Sequence, residues 1–253
     1  MKKVALIVLM MISANANAGI IYSEDFSTDP GFTSLAPSLV NWNSGAENYQ
    51  AETYRNNNQK YWAYKDVPSF QSTALKTISV DIFYETLNQL TYPAFRFFAD
   101  EPIESASLTN PYGLGFSQYN CCNDPDRFAV YDGLTGSREI STNHITSGVW
   151  YNILMEFSSD LTFDALVTER NSGNVILDAE DLTYADTSYS YFGIGYYATI
   201  SPNVGPTTML VDNIQITTVP APQSGVLFAF GLLLLINARL LQDKISQGKM
   251  IRV

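Results

Sequence analysis

The chain has 253 residues, with 25 Asp and Glu against 14 Lys and Arg, a formal net charge of −11 and one histidine. So acidic a surface repels polynucleotide phosphates, which excludes nucleic acid as a partner. With 46% hydrophobic and 13% aromatic residues, the chain can build a sizeable core.

Residues 1–18 have the three parts of a secretory signal: a positive start at Lys2 and Lys3, an apolar run over 4–12, and Ala16-Asn17-Ala18. This pattern predicts cleavage between Ala18 and Gly19 by signal peptidase, so the following segment is expected to be exported. The apolar run is too short to cross a bilayer.

Residues 19–218 read as one all-β domain. Residues 76–84 alternate apolar with polar side chains, 94–99 are rich in aromatics, and 127–131 alternate again. Residues 150–157, 161–169 and 175–177 read as a meander, with Asn171-Ser172-Gly173-Asn174 as the tight turn before the last. Residues 191–197 and 209–216 are the expected closing strands. No stretch of this middle holds a helical period, and no internal repeat divides it. Many evenly spaced strands with both chain ends in strands predict a two-sheet antiparallel jelly-roll sandwich; a repeated immunoglobulin-type array is the rival.

Beyond the domain, residues 219–224 form a Pro-containing linker. Residues 225–241 then form an apolar helix long enough for a thin membrane span of about 25 Å, with the Arg239 stem able to snorkel. Residues 242–253 carry Lys244, Lys249 and Arg252 against Asp243, and the positive-inside tendency places this tail in the cytoplasm.

The tetrapeptide Val219-Pro220-Ala221-Pro222, the apolar helix and the basic end resemble the C-terminal sorting signal of PEP-CTERM proteins. That resemblance implies a cell-envelope protein, anchored at least transiently and handled by an exosortase-like enzyme. Ala221 stands where that family usually has Glu, and the basic residues are scattered along the tail. The middle resembles the concanavalin A-like (LamG-like) fold through Tyr22-Ser23-Glu24-Asp25-Phe26, Gly148-Val149-Trp150-Tyr151 and Val211-Asp212-Asn213-Ile214.

Catalytic motifs are sparse. Asp81 and Glu85 are about 13 Å apart on an extended strand, too far to flank one glycosidic bond. Asp178 and Glu180, about 7 Å apart, are the best-spaced carboxylates. The Glu-x-Asp-x-x-Glu pattern of hydrolases on this fold does not occur. His144 lies in a polar loop with no nucleophile elbow before it, and one histidine with two adjacent cysteines does not make a zinc site. Asn120, Asn123, Asp124, Asp126 and Asp132 form an oxygen-rich stretch that does not match an EF-hand. The fold resemblance implies a structural calcium between Asp25 and Asp212, with no cofactor required.

Cys121 and Cys122 are neighbours, with Cα atoms about 3.8 Å apart, below the usual disulfide range. A strained vicinal disulfide, free thiols and intermolecular bonds all remain open; a vicinal ring would form an apolar platform beside Tyr119. Trp42, Tyr49, Tyr54, Tyr61, Trp62 and Tyr64 lie among Asn, Gln and Ser, a mixture that resembles sugar-binding faces. Trp42, Tyr61, Trp62, Tyr64 and Tyr119 are the expected ligand contacts, with Tyr61 and Trp62 on opposite faces of a strand.

The sequence therefore predicts a non-catalytic, surface-exposed sandwich that binds a glycan or extracellular polysaccharide. The alternative is a structural or adhesive protein of the envelope or biofilm matrix with no defined sugar ligand. A glycoside hydrolase is the third reading.

Overall fold

Alternation of buried and exposed side chains is what builds this molecule, because one face of each strand must leave water while the other stays in it. The computed structural model describes residues 19–52, 60–87, 91–102, 114–121, 124–132, 134–198 and 207–218. The strands are β1 (Gly19–Glu24), β2 (Thr33–Ser34), β3 (Val40–Asn43), β4 (Asn48–Glu52), β5 (Lys60–Gln71), β6 (Leu75–Thr86), β7 (Thr91–Phe98), β8 (Leu114–Cys121), β9 (Asp124–Asp132), β10 (Ser137–Ile140), β11 (Trp150–Phe157), β12 (Thr162–Glu169), β13 (Val175–Thr183), β14 (Ser188–Ala198) and β15 (Thr208–Thr218).

Two antiparallel sheets form a sandwich. The first runs β13-β12-β11-β6-β15-β4-β3, and β1 also pairs with β15; the second runs β10-β9-β8-β7-β14-β5-β2. The two ends of the domain meet there, with Gly19 opposite Thr218. The predicted signal, linker, apolar helix and tail at 1–18 and 219–253 lie outside the described residues. Among the described residues no helix is long and apolar enough to cross a membrane.

Each sheet turns its apolar face to the other. In the first, Ile78, Val80 and Ile82 on β6 face inward with Tyr151, Ile153 and Met155 on β11. In the second, Phe95 and Phe97 on β7, Phe116 on β8 and Phe192 on β14 do the same. Phe95 stacks on Phe116 at 5.3 Å, and Phe97 meets Phe70 edge-on at 5.8 Å. Each such fully buried ring contributes roughly 2 kcal/mol through area removed from water.

The predicted tight turn lies between β12 and β13. Gly173 takes a φ of 72°, and its N–H donates to the Glu169 carbonyl at 2.8 Å. Only a residue without Cβ adopts that backbone cheaply.

Two irregularities break the ladders beside the polar clusters of the two outer faces. On β5 the segment from Asp66 to Phe70 faces only Tyr191 to Tyr189 of β14, a bulge that holds Pro68, which has no N–H for a ladder. On β15 the register slips between Asp212 and Gln215, and Asn213 there has a φ of 50°.

Candidate active site

The outer face of the second sheet gathers large side chains over a glycine floor. Ala63 and Val67 of β5 enter the core, so Trp62, Tyr64 and Asp66 point the other way. Along one row of register partners, Tyr64 is opposite Gly193, Gly193 opposite Arg96, Arg96 opposite Gly115, Gly115 opposite Tyr131, and Tyr131 opposite Arg138. Glycine alternates with bulk, and the long side chains fold over the gaps.

Arg96 is held flat, its guanidinium carbon 4.9 Å from the Tyr131 ring centre and 5.5 Å from that of Trp62. The Trp62 indole meets Phe98 edge-on at 5.1 Å, and Tyr64 meets Tyr191 edge-on at 5.9 Å. The Tyr64 hydroxyl donates to the Glu101 carboxylate, Oε1. Asp66 follows Tyr64 by two residues on the same face, about 7 Å along the strand. The hydrogen bond to Glu101, then burial, then the charges of Glu101 and Asp66 push the phenol up to about 12. Tyr64 therefore stays protonated at neutral pH and acts as a donor between two exposed carboxylates, Asp66 and Glu101.

The expected ligand aromatics separate. Trp62 and Tyr64 share this face, whereas Tyr61 packs against the core. Trp42 sits half-buried on β3 of the first sheet, its indole N–H donating to the Phe26 carbonyl at 3.0 Å. Tyr49 is a core residue. Tyr54, the side chains of Tyr119 and Cys121, and all of Cys122 lie outside the described residues, as does the cleavage-site alanine Ala18. Asp178 and Glu180 are exposed on β13, at the edge of the opposite sheet, and His144 is exposed in the loop after β10. Sequence reasoning missed Glu101, which lies 37 residues from Tyr64; only the β5–β14–β7 pairing brings them together.

Asp212 lies on β15 of the first sheet and Asp25 just after β1, and the charges of Asp25 and of a third acid, Asp81, both act on Asp212. Asp81, buried on the outer face of β6, accepts from Asn152 and Asn213 amides at 2.9 Å each and pairs with Arg170 at 3.1 Å. Burial, then the charges of Asp81 and Asp25, hold the Asp212 carboxyl above the ordinary carboxylate range, against the pull of the Asn213 N–H and Arg170. Among the described residues no group of three or more His, Cys, Asp or Glu is arranged to hold a metal.

A carboxyl with a raised folded-state pKa binds its proton more tightly in the fold, so stability falls as pH rises from the unfolded value through the folded one. In calcium-free buffer, Asp212→Asn is therefore expected to raise the Tm at neutral pH and to leave it unchanged at a pH of about 3, below both values. A thermal scan at the two pH values reads this directly, and an equal effect at both would refute the raised titration of Asp212.

No protein-family model matches the chain, and no curated protein matches it. Solved structures do match. The globular domain of T. cruzi calreticulin is similar at 10% identity over 90% of this chain and 99% of that one, with a TM-score of 0.53. A glycosyl hydrolase family protein from Mycobacterium fortuitum is similar at 12% identity over 78% and 99%, with a TM-score of 0.51. A beta-1,3-glucanase from Mycobacterium marinum is similar at 12% identity over 78% and 98%, with a TM-score of 0.50. At such identities the likeness establishes the jelly-roll fold.

These matches correct the expectation of a non-catalytic glycan-binding sandwich, and with it the structural or adhesive alternative. Two of the three chains are glycoside hydrolases by name, so the missing single-strand acid motif does not exclude catalysis on this architecture. The physical reason is that a site needs its acids on one face, not on one strand: here Asp66 comes from β5 and Glu101 from the segment after β7.

Proposed function

We propose that the chain is a carbohydrate-active enzyme that hydrolyses a glycosidic bond at the outer face of the second sheet. The observation that carries this reading is the Tyr64 phenol bonded to Glu101 and flanked by Asp66, beside a row of aromatic rings. The hydrolases among the solved structures of this fold support it. Glycoside hydrolysis needs one carboxyl to protonate the leaving oxygen and another to attack the sugar or activate water, the two being roughly 5 to 9.5 Å apart. The Tyr64 hydroxyl orients Glu101, which gives Glu101 the role of nucleophile or base and leaves Asp66, on the same face, that of acid. Tyr191, half-buried beside Tyr64, supplies an apolar face against which a sugar ring can stack.

Glu101→Gln and Asp66→Asn are each expected to lower kcat on a panel of β-glucans and uronate polymers by about 100-fold or more, the scale of a lost general acid or base. Reducing-end release measures this, with the Tm as a check on folding. Undiminished turnover in either variant would remove that carboxylate from the mechanism.

Export and anchoring belong to the same reading. The signal-like residues 1–18 and the PEP-CTERM-like segment from Val219 support an enzyme that meets extracellular polysaccharide at the cell envelope. Asp25 and Asp212 do not by themselves fit the structural calcium implied by the fold resemblance, because among the described residues no third His, Cys, Asp or Glu is arranged with them to hold a metal.

A further inference from the structure

We propose that the outer face of the first sheet carries a second polysaccharide site, a row from Trp150 and Phe83 to Gln50 and Asn41 that seats a neutral β-linked glycan. It goes beyond the hydrolase reading, whose carboxylates flank the other sheet, and takes from that reading only that the chain meets polysaccharide.

Cross-strand register builds the row. Trp150 of β11 is opposite Phe83 of β6, Phe83 opposite Leu210 of β15, Leu210 opposite Gln50 of β4, and Gln50 opposite Asn41 of β3. Their chain neighbours Tyr151, Ile82, Met209, Tyr49 and Val40 are core residues, so all five point out of the sandwich. Four interstrand steps make the row about 19 Å long, enough for a short oligosaccharide lying across the strands.

The side chains suit a sugar chain. Trp150, Phe83 and Leu210 are only half-buried, and the two rings lie 5.3 Å apart, tilted by 37°. Contiguous apolar side chains left partly in water mark a contact surface. A β-linked chain presents flat C–H faces that stack on such rings, and hydroxyls along its edges that need polar partners. The row supplies these. The Gln50 amide oxygen accepts from Asn43 at 3.5 Å and the Asn41 amide N–H donates to the Pro37 carbonyl at 3.1 Å. Among the described residues no partner takes the Trp150 indole N–H, the Gln50 Nε2 or the Asn41 Oδ1, and none of the three is a buried atom. A ring pair that only stabilised the sheet would need no open amides in line with it.

Charge decides the kind of glycan. Asp81 and Asp212 are register partners two residues along from Phe83 and Leu210, and Glu85 and Glu52 lie two residues beyond Phe83 and Gln50 on the other side. Arg170 is already paired with Asp81. Carboxylates on both flanks repel uronate and sulfate polymers but accept hydrogen bonds from hydroxyls.

The test uses the full-length protein with Glu101→Gln as background, so that no oligosaccharide is consumed. Four hexamers are titrated: β-1,3-glucan, β-1,4-glucan, β-1,4-mannan and a β-linked uronate. Tryptophan emission is followed, and Trp150→Phe identifies the part of the response that comes from Trp150. At least one neutral hexamer should change that part and bind about tenfold or more tightly than the uronate. Phe83→Thr should weaken this binding by about tenfold and Gln50→Ala by about threefold. Gln50→Ala should melt with the parent, which keeps the test decisive if Phe83→Thr destabilises the sheet. A Trp150 that responds to no neutral hexamer, tighter binding of the uronate, or row variants that bind as the parent does would overturn the proposal. Hydrolysis of β-glucan by the parent chain, with row variants that bind unchanged, would sink this inference and leave the hydrolase reading intact. Row-dependent binding by a chain that cleaves no glycan would sink the hydrolase reading and leave this one.

Discussion

Replacing Gly195 by alanine is expected to lower the Tm by about 5 to 15 °C. A Cβ at this position would lie 2.1 Å from the Tyr61 carbonyl and 2.8 Å from the Trp62 indole. The carbonyl belongs to the paired backbone of β5, so it cannot swing aside as a flexible side chain would. Relief requires β5 and β14 to part where Gly195 is opposite Trp62. Overpacking of this kind costs about 2 to 4 kcal/mol, and for a domain of this size each kcal/mol is worth about 2 to 4 °C. Gly193→Ala, with its nearest contacts at 3.1 Å, is the milder control. Near-ultraviolet circular dichroism should register a displaced Trp62 in the first variant and less change in the second. A Gly195→Ala protein that melts with the parent would show that the indole does not need the glycine floor.

The second large effect falls on the opposite sheet. Asp81→Ala is expected to cost about 2 to 4 kcal/mol, because it leaves partly buried amide donors of Asn152 and Asn213 without their acceptor and removes the partner of Arg170. Arg170→Ala should cost about 1 kcal/mol or less, since that side chain is 49% exposed. The midpoint and slope of urea unfolding separate the two variants. Equal losses would mean that the ion pair, and not the amide network, supports the β6–β15–β11 junction.

These two sites differ in how much the sequence revealed. The alternation at 76–84 and 150–157 corresponds to β6 and β11, because both strands bury one face and wet the other. The tight turn at 171–174 was equally readable, since Asn and Gly mark positive φ. β5 carried no such mark, although it spans Lys60–Gln71 and equals β6 in length. Its outward residues Trp62 and Tyr64 are themselves buried, so the contrast between faces that makes a strand legible is lost, and Pro68 breaks the pattern further. β8 and the short β3, β4 and β10 were missed for a related reason: short or glycine-containing strands carry too few alternations to stand out.

Composition and periodicity by themselves determined the acidic all-β sandwich, because both follow from how many side chains must leave water and at what spacing along the chain. Only the tertiary structure decided which charges meet. Glu101 reaches Tyr64 through cross-strand register, which depends on how distant strands pair and which no local pattern encodes.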